Sequence, residues 1–373
     1  MEQYPAMPRS APRLPWVDSA KAVGIVLMFY GHVVQSRAGD SAAALDQLRL
    51  IYAFHMPLFF VLAGLFFHPV PRLLPRVRTL AVQRLVPVLF FGLLLLPLWS
   101  LSAVKHHVVW WYYVQPLGAA YLRGMPELNW VTWFLVCMFV CELMALVVLP
   151  RLRHTALQLL FAAACIVGGV FLCNHGDALE GWVGAVSRIW FVREAIVALG
   201  FYTAGHALRP FLQQLAGHRG IALLVSVASL CALLATYRLN QPHDAQAVMM
   251  AAAQHGDALG FAFSALAGTL AVAGLAMLLP ATRIAGWLGR NSLPLMGLNG
   301  VFFHFFNPKL AESVALADDP LAVTGYALAL SAVSLLACVP FVALMNRFVP
   351  QLIGKPHHPT PATGHGTRAS HAA

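Results

Sequence analysis

The chain has 373 residues, of which 60% are hydrophobic and 10% charged, with a formal net charge of +10 and a mean hydropathy of +0.71. Soluble domains carry about a quarter charged residues, so this much apolar surface exceeds what a core absorbs, and lipid must be the solvent. The basic excess sits in short segments between apolar runs, which fits membrane topology and argues against nucleic acid as a partner.

The first fifteen residues, Met1 to Pro15, are polar, Pro-rich and basic (Arg9, Arg13), and do not read as a cleaved signal. Apolar runs then recur, and a run of about 20 such residues is long enough to cross the hydrocarbon layer. Spans are expected near 16–36, 51–69, 85–104, 130–149, 155–173, 188–208, 221–239, 258–279, 292–306 and 321–346. The stretch 240–257 is apolar enough at Ala247 to Ala253 to hold a partial or re-entrant helix. From Gly354 onward the chain is rich in Pro, Gly, His and Thr without a buried face, so 350–373 is expected to be a disordered cytoplasmic tail. No metal site is expected of its histidines (His357, His358, His365, His371). The fold class is therefore all-α and polytopic, with a cytoplasmic segment 1–15, a membrane domain 16–349 and the tail.

Basic residues set the orientation. With the amino terminus inside, Arg72, Arg76, Arg78, Arg84, Arg151, Arg153, Arg209, Arg219, Arg283, Arg290, Arg347 and Lys355 all fall on the cytoplasmic side. Acids such as Asp40, Asp46, Glu127 and Asp318 fall outside. Ten spans with both termini cytoplasmic satisfy the basic bias at every loop, whereas nine or eleven do not. Six cysteines, mostly within apolar runs and with no CxxC pair, read as packed thiols.

The first span carries the residues of greatest chemical interest, Asp18, Lys21 and His32. Eleven residues at about 100° each make three turns plus about 20°, so Lys21 and His32 share a helix face, with Asp18 one turn earlier on the same stripe. Ionisable groups in a membrane helix cost about 2.5–3.5 kcal/mol on insertion scales and mark functional paths. His32 near the outer end of span one and His55 near the outer start of span two fall at similar depth, and a neutral imidazole there suits general-base work on a hydroxyl. The plainer alternative is a histidine that only bonds a neighbouring helix. Lys21 either snorkels or pairs with Asp18, or fixes a cation at the inner mouth for an anionic ligand.

Further along, Arg72-Leu-Leu-Pro-Arg76-Val-Arg78…Arg84 is the densest basic stretch. Topology accounts for it, and so does a phosphate clamp, because arginine forks match phosphate oxygens. Trp130 and Trp133 open span four, with Glu142 deeper in it; such tryptophans are more often interfacial anchors. Arg193 and Glu194 suit an internal ion pair or a cavity wall. Asn291 and Ser292 suit a helix cap, with Asn299 two turns on.

Together these residues resemble the acyltransferase-3 family of integral-membrane acyltransferases, in particular its fucose 4-O-acetylase-like branch. The matching pieces, in family order, are Trp16-Val-Asp18-Ser-Ala-Lys21-x10-His32, Phe54-His55-Met56-Pro57-Leu-Phe-Phe…Gly64, Arg84-Leu-Val-Pro87, Asn129-x3-Trp133-Phe-Leu and Gly289-Arg-Asn291-Ser292-Leu. The resemblance implies acyl transfer from acyl-coenzyme A, with acetyl-CoA the expected donor, and no metal. It assigns His32 as the catalytic histidine with Lys21 as its basic partner and Asp18 beside them, and Arg84 to donor handling. His55, Arg76, Arg78, Trp133 and Asn291 are the further substrate- and cofactor-binding candidates, Asn291 as an oxyanion donor. One departure is Asn299, where a histidine is expected eight residues after the Asn-Ser pair.

The expected function is therefore a membrane O-acyltransferase, an O-acetyltransferase in particular. It would move an acyl group from cytoplasmic acyl-CoA to a hydroxyl of an extracytoplasmic glycan or lipid-linked sugar at a bacterial inner (plasma) membrane, in contact with membrane lipid. His32 serves either as general base or as acyl-accepting nucleophile. The competing class is a transporter or flippase for a lipid-linked glycan or organic ion.

Overall fold

The computed structural model describes residues 14–109, 111–175, 189–240, 242 and 246–355, without the side chains of 111–116. Arg9, Arg13 and the four tail histidines lie outside these residues. The described regular structure is helical, with one isolated bridge between Met249 and Gln254. Among the described residues, eight helical segments are long and apolar enough to cross a membrane: Pro15–Gln35, Ala42–Gly64, Leu73–Lys105, Leu117–Arg151, Thr155–His175, Arg219–Thr236, Ala258–Leu278 and Pro320–Phe348.

We number the helices α1 (Pro15–Gln35), α2 (Ala42–Tyr52), α3 (His55–Gly64), α4 (Leu73–Lys105), α5 (Trp111–Leu122), α6 (Trp133–Val148), α7 (Thr155–His175), α8 (Val192–Ala216), α9 (Arg219–Thr236), α10 (Ala258–Leu278), α11 (Arg283–Arg290), α12 (Ser292–Val301), α13 (Asn307–Ser313) and α14 (Pro320–Phe348). Two expected spans are not among the eight. The sixth corresponds to α8, whose 25 residues include Arg193, Glu194, His206 and Arg209. The ninth is broken: α12 has ten residues and runs through a π-helical turn, Phe302–Phe306, into α13.

Other local expectations need correction. The basic stretch after span two is not a loop but the first turns of α4, a helix of 33 residues. Pro75 falls in its opening turn, where a missing N–H costs nothing, and the Leu, Val, Ala and Arg that follow favour helix. Span two begins earlier than expected and breaks between α2 and α3, where Phe54 leaves helical geometry (φ −144°). Among its described residues the stretch 240–257 contains one short 3-10 turn, Met250–Ala252, closed by left-handed Ala253. The tail expected to be disordered from residue 350 begins with a 3-10 turn, Pro350–Ile353, packed against α4. None of the six cysteines forms a disulfide among the described residues, and five of them are buried.

The bundle is arranged around α1, which packs against α2, α3, α10, α11, α12 and α14. Close approach to α11 depends on Gly289, since a Cβ there would overlap the carbonyl oxygen of Asp18. Backbone cannot retreat as a flexible side chain can, so Gly289→Val is expected to lose most folded protein on size-exclusion in detergent. Gly39→Ala, with nothing within 4 Å of its added carbon, should elute as wild type.

Candidate active site

The stripe on α1 is a structural fact. Lys21, Ile25, Met28 and His32, spaced at helical intervals, line one side of a cavity of about 280 Å³ inside the bundle. Asp18 and Lys21 continue the stripe into a second, larger cavity of about 1110 Å³ at the Lys21 end. His32 and Gln35 continue it into a third, of about 70 Å³, at the other end. Lys21, Phe66, Arg84, Ser292 and Leu293 line both the first and second cavities, which we call the inner cavity and the vestibule. His32, Met56, Val131 and Trp133 line both the inner cavity and the third, the outer cavity. His32 thus stands in the wall between a wide polar approach and a narrow one.

The imidazole is held from two sides. Its Nδ1 lies 2.5 Å from Oδ1 of Asn299, and its ring packs on Phe303 with centroids 4.8 Å apart. An amide oxygen only accepts, so Nδ1 carries the proton and Nε2 keeps its lone pair. Asn299 is fully buried and its Nδ2 has no partner among the described residues. The π-helical turn that follows Asn299 widens the helix and places Phe303 on His32 and His304 on the 3-10 turn Glu127–Thr132 that precedes α6, where His304 Nε2 accepts the Trp130 N–H at 3.1 Å. Such π turns recur at functional sites.

His55 opens α3 and is buried, and its Nδ1 donates to the Ile51 carbonyl across the α2–α3 break at 3.0 Å. It stacks on Tyr52 at 4.6 Å and lines the outer cavity together with His32. Trp133 lines both cavities at His32, so it is part of the site wall, while Trp130 lines the outer cavity. The outer cavity is roofed by Val248, Met249, Met250 and Ala251 of the 240–257 stretch. That roof is held by Asn240, whose amide bonds the His255 carbonyl and the Asp257 N–H, and by Arg49 on the Gln246 carbonyl.

At the other end of the inner cavity the charges gather. Arg84 makes a bidentate ion pair with Glu142, Nε–Oε2 at 2.8 Å and Nη2–Oε1 at 2.9 Å. Lys21 has no ion-pair partner among the described residues and sits over the Phe66 ring at 5.7 Å, so it neither pairs with Asp18 nor leaves the bundle. With Arg76, the inner cavity is lined by three cations against one carboxylate.

Two candidates stand apart from this gathering. Arg78 is exposed on the opening turns of α4, away from the three cavities. Asn291 is engaged at the vestibule end: its Nδ2 donates to the Trp287 carbonyl, and its Oδ1 accepts from Asn346 and from Lys355. It precedes Asn299 by eight residues, about 12 Å along the helix, which removes it as an oxyanion donor beside His32. The residues that sequence reasoning passed over are Asn299 as the partner of His32, Glu142 as the partner of Arg84, and Arg290, Arg347 and Lys355 as vestibule walls. Their sequence signals were the departure at Asn299, an acid at Glu142 inside an apolar span, and the cytoplasmic placing of Arg290, Arg347 and Lys355.

No curated protein and no solved structure matches the chain. The family model of the acyltransferase-3 domain, described as an acyltransferase domain, matches residues 14–343. That region contains Asp18, Lys21 and His32 of the α1 stripe, both partners of the Arg84–Glu142 pair and Asn299. The chain belongs to the acyltransferase-3 family, as a multi-pass membrane acyltransferase.

Proposed function

We propose that the protein is an O-acetyltransferase that takes its acyl group from acetyl-coenzyme A on the cytoplasmic side and delivers it to a hydroxyl of a glycan or lipid-linked sugar on the far side of a bacterial inner membrane. The observation that carries this reading is the path of three cavities with His32 in the wall between the inner and the outer. Acyl-CoA is a polyanion that does not cross lipid, and the basic vestibule and inner cavity offer it a cationic approach.

Dimensions support the same donor. Lys21 and His32 are eleven residues apart, about 16 Å at 1.5 Å per residue. The pantetheine arm has about twelve chain bonds between its phosphate oxygen and its sulfur, and at the extended-peptide advance of about 1.2 Å per bond it spans about 14 Å. A diphosphate on Lys21, Arg76 and Arg84 therefore delivers a thioester to His32. The acceptor hydroxyl enters from the outer cavity. His32 Nε2 takes its proton as the oxygen attacks the thioester carbonyl; the tetrahedral intermediate collapses, expelling the thiolate, which takes the proton back from the imidazolium. Both substrates reach the imidazole from opposite sides, which favours direct transfer over an acyl-histidine. Initial-rate patterns should then be sequential, and ping-pong kinetics would replace the general base with a nucleophile.

The decisive experiment supplies purified protein in nanodiscs with acetyl-labelled acetyl-CoA and glycan acceptors, scoring free thiol and labelled ester by mass spectrometry. Equal release of thiol and formation of ester is expected. Glycan accumulation in vesicles without coenzyme A, and no ester, would overturn the reading in favour of transport. Asn299 adds a graded prediction. Asn299→Leu keeps the volume but removes the acceptor for Nδ1–H, so kcat should fall about ten- to a hundredfold while the donor KM holds.

A further inference from the structure

The vestibule holds a second group of cations beyond those that meet the diphosphate. Lys355 follows the short turn Pro350–Ile353 and points back into the bundle, where its Nζ donates to Oδ1 of Asn291 at 2.9 Å and to Oδ1 of Asn346 at 2.5 Å. Both acceptors are neutral amides, and among the described residues no carboxylate pairs with this ammonium. Two of its three N–H bonds are spent on fixing its position and its charge is left uncompensated. Arg290 and Arg347 line the same cavity, whose only acid among the described residues is Asp18. Burial, and then the charge of Arg290, lower the pKa of Lys355, and the negative charge of a bound anion would oppose that shift.

We infer that Arg290, Arg347 and Lys355 form a phosphomonoester subsite, which holds the ribose phosphate of the donor's nucleotide end. The inference rests on the acyl-CoA reading above and extends it. Two tiers of cations lie along one path: Lys21, Arg76 and Arg84 line the inner cavity, and Arg290, Arg347 and Lys355 line the vestibule without lining the inner cavity. A donor carrying a single phosphate next to its pantetheine arm, as on a carrier protein, would use the first tier alone. Coenzyme A carries a diphosphate and, beyond the ribose, a separate monoester, so it uses both. The vestibule, at about 1110 Å³, exceeds the roughly 300–1,000 Å³ of ordinary small-molecule pockets, so it has room for a nucleotide. Arg347 and Lys355 lie past residue 343, where the family match ends, so the match itself assigns them no role.

The test measures binding of coenzyme A and of dephospho-coenzyme A, which lacks only the ribose phosphate, to full-length protein in phosphatidylcholine nanodiscs. Wild type is expected to prefer coenzyme A by about tenfold, the worth of one charge-assisted contact. Lys355→Gln and Arg347→Ala should each erase most of that preference while holding dephospho-coenzyme A within about twofold of wild type. Arg347 is exposed, so its variant reports even where loss of Lys355 unsettles the C-terminal turn. Equal wild-type affinity for the two ligands, or equal weakening of both in the variants, overturns the subsite and leaves the donor reading standing. Failure of both ligands to bind wild type overturns the donor reading and the subsite with it. Phosphatidic acid in the disc is a further arm: if it abolishes the wild-type preference and the variants are insensitive to it, the cations serve a lipid headgroup and the inference falls.

Discussion

His32→Ala protein is expected to insert and melt as wild type and to lose acetyl transfer by about a hundred- to ten-thousandfold, the range that a positioned general base contributes. The size follows from placement. Among the described residues His32 is the one imidazole that lines both the inner and the outer cavity, so no other ring meets a thioester from one side and a hydroxyl from the other. His55 lines the outer cavity alone, and its Nδ1–H is spent on the Ile51 carbonyl. His304 uses Nε2 to accept from the Trp130 backbone. Neither takes over, and His55→Ala should therefore cost far less, acting on acceptor KM more than on kcat. The side chain of His32 is only partly enclosed, so its truncation opens little new cavity and stability should hold. Wild-type turnover by His32→Ala would remove the imidazole from the chemistry altogether.

What was legible in the sequence was local. Lys21 and His32 share a face because helical periodicity fixes it, whatever the rest of the chain does, and the cavity wall follows that stripe residue by residue. The apolar runs mark the helices for the same reason. The pairs that complete the site were not legible, because their partners are far apart in sequence: Asn299 lies 267 residues from His32, and Glu142 lies 58 from Arg84. No periodicity links such positions. Charge counting read the basic stretch Arg72 to Arg84 correctly as a place where cations gather, but it says nothing of backbone, and the stretch proved to be helix. Asn291 misled for a related reason. A polar residue at a helix start reads as a cap or a donor, yet tertiary packing gave its amide to Trp287, Asn346 and Lys355. Trp133 read two ways, as an interfacial anchor by residue type and as a binding candidate by resemblance, and the packing of α6 puts it in the wall of the two cavities that His32 also lines.

The second large effect concerns the pair that closes the inner cavity. Glu142→Ala leaves the Arg84 guanidinium among apolar helices without its carboxylate, and this variant is expected to lose about 3 kcal/mol, toward the lower end for a broken buried pair. The lower end applies because the Arg84 side chain keeps 23% of its exposure against 8% for Glu142, so the cavity partly screens the stranded charge. A melting curve in detergent should show the drop. Arg84→Met combined with Glu142→Leu removes both charges and fills the space with apolar atoms, and this double variant should melt close to wild type. Its donor binding should not recover, because the inner cavity then keeps Lys21 and Arg76 but loses the guanidinium that lines both it and the vestibule. The two readouts therefore separate the roles of Arg84. Stability that returns while the donor KM stays raised assigns the arginine to the ligand and the glutamate to holding the arginine in place. Stability and donor KM that return together would make the pair a structural clamp alone, and the diphosphate would then rest on Lys21 and Arg76.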